Sequence, residues 1–97
     1  VNRYEDVQRE LAAMKPALEA EYHVAELGIF GSFAREEQTE ESDLDVLVDF
    51  DRPVSLFDLV RLENHISDRL GIDVDLVTRN SLKPRVKASV DDDVVFV

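Results

Sequence analysis

Between Asp43 and Phe50 the chain reads Asp-Leu-Asp-Val-Leu-Val-Asp-Phe. Side chains alternate between the two faces of a strand, so Asp43, Asp45, Leu47 and Asp49 share one face and Leu44, Val46, Val48 and Phe50 the other. The apolar face requires a core to lie on. The opposite face then carries carboxylates, although aspartate is disfavoured in strands. A solvated strand face is the plain reading of such a pattern; a face kept for chemistry is the alternative.

The rest of the chain supplies partners for this strand. Tyr4, Val7, Leu11 and Met14 recur at helical spacing over 2–14, and Asn2 with Glu5 resembles a capping box. Pro16 is expected to break or restart that helix, with Ala17, Leu18 and Tyr22 on a second short one. Residues 26–30 predict a buried strand ending at Gly31, residues 32–36 a single helical turn, and residues 37–42 a polar loop. After a turn at 51–53, Ser55 and Asp58 predict a capped helix to Leu70, with Leu56, Leu59, Leu62, Ile66 and Leu70 buried. Gly71 suits a left-handed helix end. A third strand follows at 72–77, then a helix from Ser81 to about Ala88, and a closing strand at 94–97. The order α-α-β-turn-β-α-β-α-β predicts an α+β fold with a small mixed sheet packed against helices. With 97 residues, one core and one domain spanning 1–97 are expected.

Composition narrows the chemistry. Without cysteine there are no disulfides and no thiolate metal sites. His23 and His65 are far apart and read as structural, at a helix–strand connection and on a solvent-facing helix surface. No run is apolar enough to span a membrane, and the N-terminus shows no signal-peptide core, so a cytoplasmic protein is expected. Asp and Glu number 22 against 11 Lys and Arg, a net charge of −11. Such a chain repels nucleic acid and attracts cations or a basic partner. Asp91-Asp92-Asp93 reads as a solvated turn. Phe30, Phe33, Phe50 and Phe57 read as core or cleft wall, Phe33 being the one placed to meet a base.

Three features bear on chemistry. Gly31-Ser32 ends a strand and opens a helical turn, where backbone N–H groups attract phosphate oxygens; Gly31 allows close approach, Ser32 adds a hydroxyl, and Arg35 lies one turn on. Asp43 and Asp45 project from one strand face about 6–7 Å apart at their roots, a spacing suited to hard divalent cations. Asp73 and Asp75 repeat that arrangement on another strand. If the two strands pair, one of the second pair meets the first. Like charges at about 4 Å repel by roughly 4 kcal/mol at an effective dielectric of 20, and a cation reverses that sign. Geometry alone does not choose between Asp73 and Asp75.

Taken in order, Gly31-Ser32-Phe33-Ala34-Arg35, Ser42-Asp43-Leu44-Asp45-Val46-Leu47-Val48 and Val74-Asp75-Leu76-Val77 resemble the minimal nucleotidyltransferases of the DNA polymerase beta type, the antitoxin half of HEPN/MNT toxin–antitoxin pairs. The resemblance covers essentially the whole chain. It implies that Gly31, Ser32, Arg35 and Ser42 bind nucleotide, and that Asp43, Asp45 and Asp75 are catalytic and bind two Mg²⁺ ions, with ATP as substrate. Asp75, rather than Asp73, falls at the family's third carboxylate. Glu36 stands where many relatives have Gly.

It further implies transfer of AMP to a tyrosine of a HEPN ribonuclease, in a hetero-oligomer with that toxin and without direct nucleic-acid binding. Larger nucleotidyltransferases add a helical domain that grips the acceptor, for which this length leaves no room, so the acceptor is expected to be met in trans. The alternative is an antitoxin that covers its toxin sterically over a vestigial or secondary site. A small-molecule nucleotidyltransferase similar to those that modify aminoglycosides is a third reading, disfavoured by the missing acceptor domain.

Overall fold

The computed structural model of the chain describes residues 4–31, 43–79 and 84–97. Along them run α1 (Tyr4–Tyr22), β1 (Val24–Phe30), β2 (Leu44–Phe50), α2 (Leu56–Leu70), β3 (Val74–Thr78), α3 (Pro84–Asp93) and β4 (Val95–Phe96). The strands form one sheet in the order β3-β2-β1-β4. β2 and β3 are parallel, and β1 is antiparallel to both β2 and β4. The fold is the expected small α+β domain with a mixed sheet. Parallel neighbours require a crossover, and α2 provides it.

α1 is a single helix, and this corrects the expected break at Pro16. A proline removes one N–H and frees one carbonyl four residues back. Here both Pro16 and Ala12 are exposed, so water is available to the freed group. Meanwhile Val7, Leu11, Met14 and Leu18 are buried on both sides of the proline and hold the two halves on one core. The helix stops at His23, which adopts a left-handed φ of 61°. The proposed caps at Asn2 and Ser81, the turn at 32–36, the loop at 37–42 and Phe33 lie outside the described residues.

α2 has the expected ends. Asp58 N donates to Ser55 Oγ and Ser55 N to Asp58 Oδ2, each at 3.2 Å, and Gly71 closes the helix at φ 72°. Its buried stripe is Leu62, Ile66 and Leu70, with Leu59 half-buried. The packing surface ends there: Leu56 and Phe57, expected to be buried, are 75% and 82% exposed. A second correction concerns 91–93. These aspartates are the last residues of α3, not a turn, because the helix continues past buried Val90 and Val94 N donates to Val90 O at 2.8 Å.

Leu44, Val46 and Val48 of β2 join Leu27 and Ile29 of β1 in one cluster with the buried faces of α1 and α2. On the opposite face of the sheet, Arg79 ties three elements together. Its guanidinium pairs with Glu26 of β1 and Asp91 of α3, each at 3.7 Å, and lies 5.6 Å from the Phe96 ring centroid. Lys15 Nζ donates to Val97 O at 2.7 Å, fastening the last residue to α1.

Candidate active site

β1 and β2 are antiparallel, so the end of β1 lies beside the start of β2, and Phe30 is the register partner of Asp45. The next residue, Gly31, has a left-handed φ of 73°. A Cβ there would stand 3.0 Å from the Asp45 carboxyl carbon and overlap one of its oxygens. Glycine is therefore required twice over at this position, once by the backbone angle and once by the carboxylate pressed against it.

The parallel pairing of β2 with β3 sets Asp45 opposite Asp75. Strands of a sheet are about 4.8 Å apart, so these two carboxylates leave neighbouring backbones on the same face. Asp43 sits just before β2 and Asp73 just before β3, where Leu44 N donates to Asp73 O at 2.9 Å. Asp43, Asp73 and Asp75 are exposed and Asp45 is half-buried.

A further carboxylate, not singled out from the sequence, lies close enough to Asp75 to feel its charge. Glu63 on α2 is half-buried, and its carboxyl is held above the ordinary value, first by burial and then by the charge of Asp75. The sequence signal for it is slight: it follows Leu62 on the flank of the buried stripe.

Ser32, Arg35 and Ser42 lie outside the described residues. Among the described residues, no three His, Cys, Asp or Glu side chains are gathered into a metal-ligating group. The backbone thus brings Gly31, Asp45 and Asp75 together and places Asp43 beside them, while the side chains do not close into a triad. The donor set is nonetheless oxygen only and anionic, the type that suits Mg²⁺. With Asp45 pressed against a glycine that exposes its backbone, the set fits a hard cation that also carries phosphate. No helix among the described residues is long and apolar enough to cross a membrane.

A small mixed sheet with carboxylates on adjacent parallel strands, next to a glycine at a strand end, suits a transferase that handles phosphate groups with a hard cation. The family model for the nucleotidyltransferase domain matches residues 11–97. The protein adenylyltransferase MntA of Thermococcus cleftensis is 41% identical over 93 residues, covering 96% of this chain and 94% of that protein. A solved structure assigned as a minimal nucleotidyltransferase superposes with a TM-score of 0.83 at 33% identity, over 96% of this chain and 94% of that one. A Shewanella oneidensis MNT antitoxin in complex with its tri-AMPylated HEPN toxin shares the fold, with a TM-score of 0.69 at 18% identity, over 93% of this chain and 70% of that one. The chain belongs to the nucleotidyltransferase domain family, and it is an enzyme of that class.

Proposed function

We propose that this nucleotidyltransferase is a Mg²⁺-dependent protein adenylyltransferase and antitoxin that acts in the cytoplasm, transferring AMP from ATP to a tyrosine of a partner HEPN ribonuclease. The observation that carries this reading is the register of β2 on β3, which sets Asp45 opposite Asp75 beside Gly31. The names of the similar proteins support the protein acceptor and the toxin partner.

Asp43, Asp45 and Asp75 would hold two Mg²⁺ ions, which supply charge neutralisation of the triphosphate and activation of the attacking hydroxyl. Gly31 leaves room at the strand end for the β- and γ-phosphates, with Ser32, Arg35 and Ser42 assigned to the same nucleotide. The tyrosine oxygen bonds to the α-phosphorus, the α–β phosphate bond breaks, and pyrophosphate leaves. Asp75 would help remove the phenolic proton. The protein contributes orientation and electrostatics, with no covalent intermediate.

The test is incubation of the chain with labelled ATP, Mg²⁺ and a HEPN ribonuclease, followed by mass spectrometry of the tyrosines. The wild type should add AMP. Asp43→Asn/Asp45→Asn should slow transfer by roughly a thousandfold or more, since several kcal/mol of stabilisation is lost at about tenfold per 1.36 kcal/mol. That variant should still co-purify with the toxin and fail to rescue growth. Full rescue by a variant shown to be inactive would replace catalysis with steric cover.

A further inference from the structure

β2 runs into α2 at the end of the sheet away from Asp45, and the surface of that corner differs from the rest of the chain. Leu56, Phe57 and Val60 are 75%, 82% and 48% exposed and, with Arg61, line an apolar hollow of about 280 Å³. Directly before them in sequence, residues 49–54 together with Thr78 line a second hollow of about 480 Å³. Asp49 and Asp51 both face this second hollow. Asp51 pairs with Arg52 at 3.3 Å. Asp49 accepts a hydrogen bond from Phe50 N at 3.0 Å, and among the described residues no cation pairs with it.

Adjacent large apolar side chains left in water mark a contact surface, and buried aromatic anchors dominate binding energy at such surfaces. Charge decides the occupant. Arg52 and Arg61 line the two hollows but are paired with Asp51 and Asp58 at 3.3 and 3.9 Å, which leaves Asp49 as the corner's unmatched charge among the described residues. The chain as a whole carries −11, so a second copy would bring the same sign to the contact and be repelled. A partner offering an apolar side chain next to a lysine or arginine matches both hollows. Phe50 lies five residue rises along the strand from Asp45, roughly 17 Å at 3.3–3.4 Å per residue. A protein spans that distance readily, so its anchoring and its reacting side chain can occupy different ends of the sheet.

We propose that the β2–α2 corner is an exosite for the acceptor protein of the transfer reaction, seating an apolar side chain on Leu56 and Phe57 and a lysine or arginine beside Asp49. This rests on the reading of the chain as a protein adenylyltransferase. Anchoring remote from the chemistry lowers the acceptor concentration needed without changing the step at phosphorus, so the exosite appears in KM and not in kcat.

The test uses a HEPN ribonuclease as acceptor, with Leu56→Ser/Phe57→Ser and Asp49→Asn variants checked by thermal melting; Phe57→Ser alone serves if the double variant unfolds. The double variant should raise the acceptor KM by roughly thirtyfold and leave kcat at saturating acceptor, and the KM for ATP, within about twofold. Asp49→Asn should flatten the dependence of acceptor KM on salt. An unchanged acceptor KM overturns the exosite while wild-type transfer keeps the adenylyltransferase reading intact. A wild type that elutes as a dimer, with the double variant a monomer, overturns it in favour of self-association. A wild type that binds and modifies none of the acceptor overturns both.

Discussion

On one side of β2, Leu44, Val46 and Val48 are fully buried between the sheet and helices α1 and α2. On the other side, Asp45 stands opposite Asp75 of β3 and Asp49 opposite Glu26 of β1. The same seven residues therefore carry two unlike surfaces. The apolar face supplies the burial that offsets the entropy of ordering the chain. The acidic face sets like charges on adjacent strands, which opposes folding, and is held only by buried Leu47 between the aspartates and by the pairing of Glu26 with Arg79. Most of the burial comes from the opposite face, and substitutions of the aspartates and of the apolar face should accordingly separate activity from stability.

The largest expected effect breaks the acidic face. Asp75→Asn should nearly abolish AMP transfer, by roughly a thousandfold if one metal site is lost, with the thermal melt unchanged or raised as repulsion is relieved. Asp73→Asn, two residues earlier and outside the register pair, should lower transfer only mildly. Equal losses in the two variants, measured with labelled ATP, would mean that the pairing of Asp45 with Asp75 does not define the reactive end.

The matching break on the apolar face is Leu27→Ala on β1, the register partner of Val48 and fully buried. Truncating a buried leucine costs about 2–5 kcal/mol, readable as a shift of the urea midpoint. Activity per folded molecule should stay near that of the wild type. A loss of activity larger than the loss of folded protein would show that the faces are coupled through the strand.

Gly31→Ala sharpens the comparison where the two surfaces meet. Positive φ costs an L-residue roughly 1–2 kcal/mol, and the new Cβ displaces the Asp45 carboxylate. Melting should show destabilisation of about that size. Transfer by the folded fraction should fall by about tenfold or more, beyond what the melt accounts for.

Much of this architecture was legible because it is encoded locally. The alternation in 43–50, the Ser55/Asp58 capping box and Gly71 each fix a strand or a helix end with their own side chains. What escaped is decided by distant contacts. Pro16 argues for a break, and only the buried residues on either side of it override that argument. Leu56 lies on the right helical phase to be buried, yet the surface that would cover it ends at Leu59. The residues 91–93 form a solvated acidic run whose helical state depends on Val90 being buried and Asp91 pairing with Arg79. Periodicity shows that Asp45 and Asp75 each lie on a strand; that those strands are parallel neighbours in register is a property of the sheet. Glu63 escaped for the same reason, since its proximity to Asp75 exists only after α2 has packed.

Glu63 also offers the smallest and most discriminating test of the acidic face. Its carboxyl titrates above the ordinary 4.5 in the folded chain, so ionising it costs more when folded than when unfolded. The protonated form therefore contributes stability that is fully present below the unfolded value and is lost as pH rises through the raised folded value. At pH 7 the charge is a net cost, and Glu63→Gln should raise stability by at most about 0.5 kcal/mol. The gain should shrink as the pH is lowered past 4.5. Burial is the larger cause and Asp75 the smaller, which fixes the outcome of a double-mutant cycle: in an Asp75→Asn background most of the Glu63→Gln gain should persist. Disappearance of the gain in that background would make repulsion from Asp75 dominant, and would place Glu63 among the carboxylates of the reactive end and not on the margin of the core.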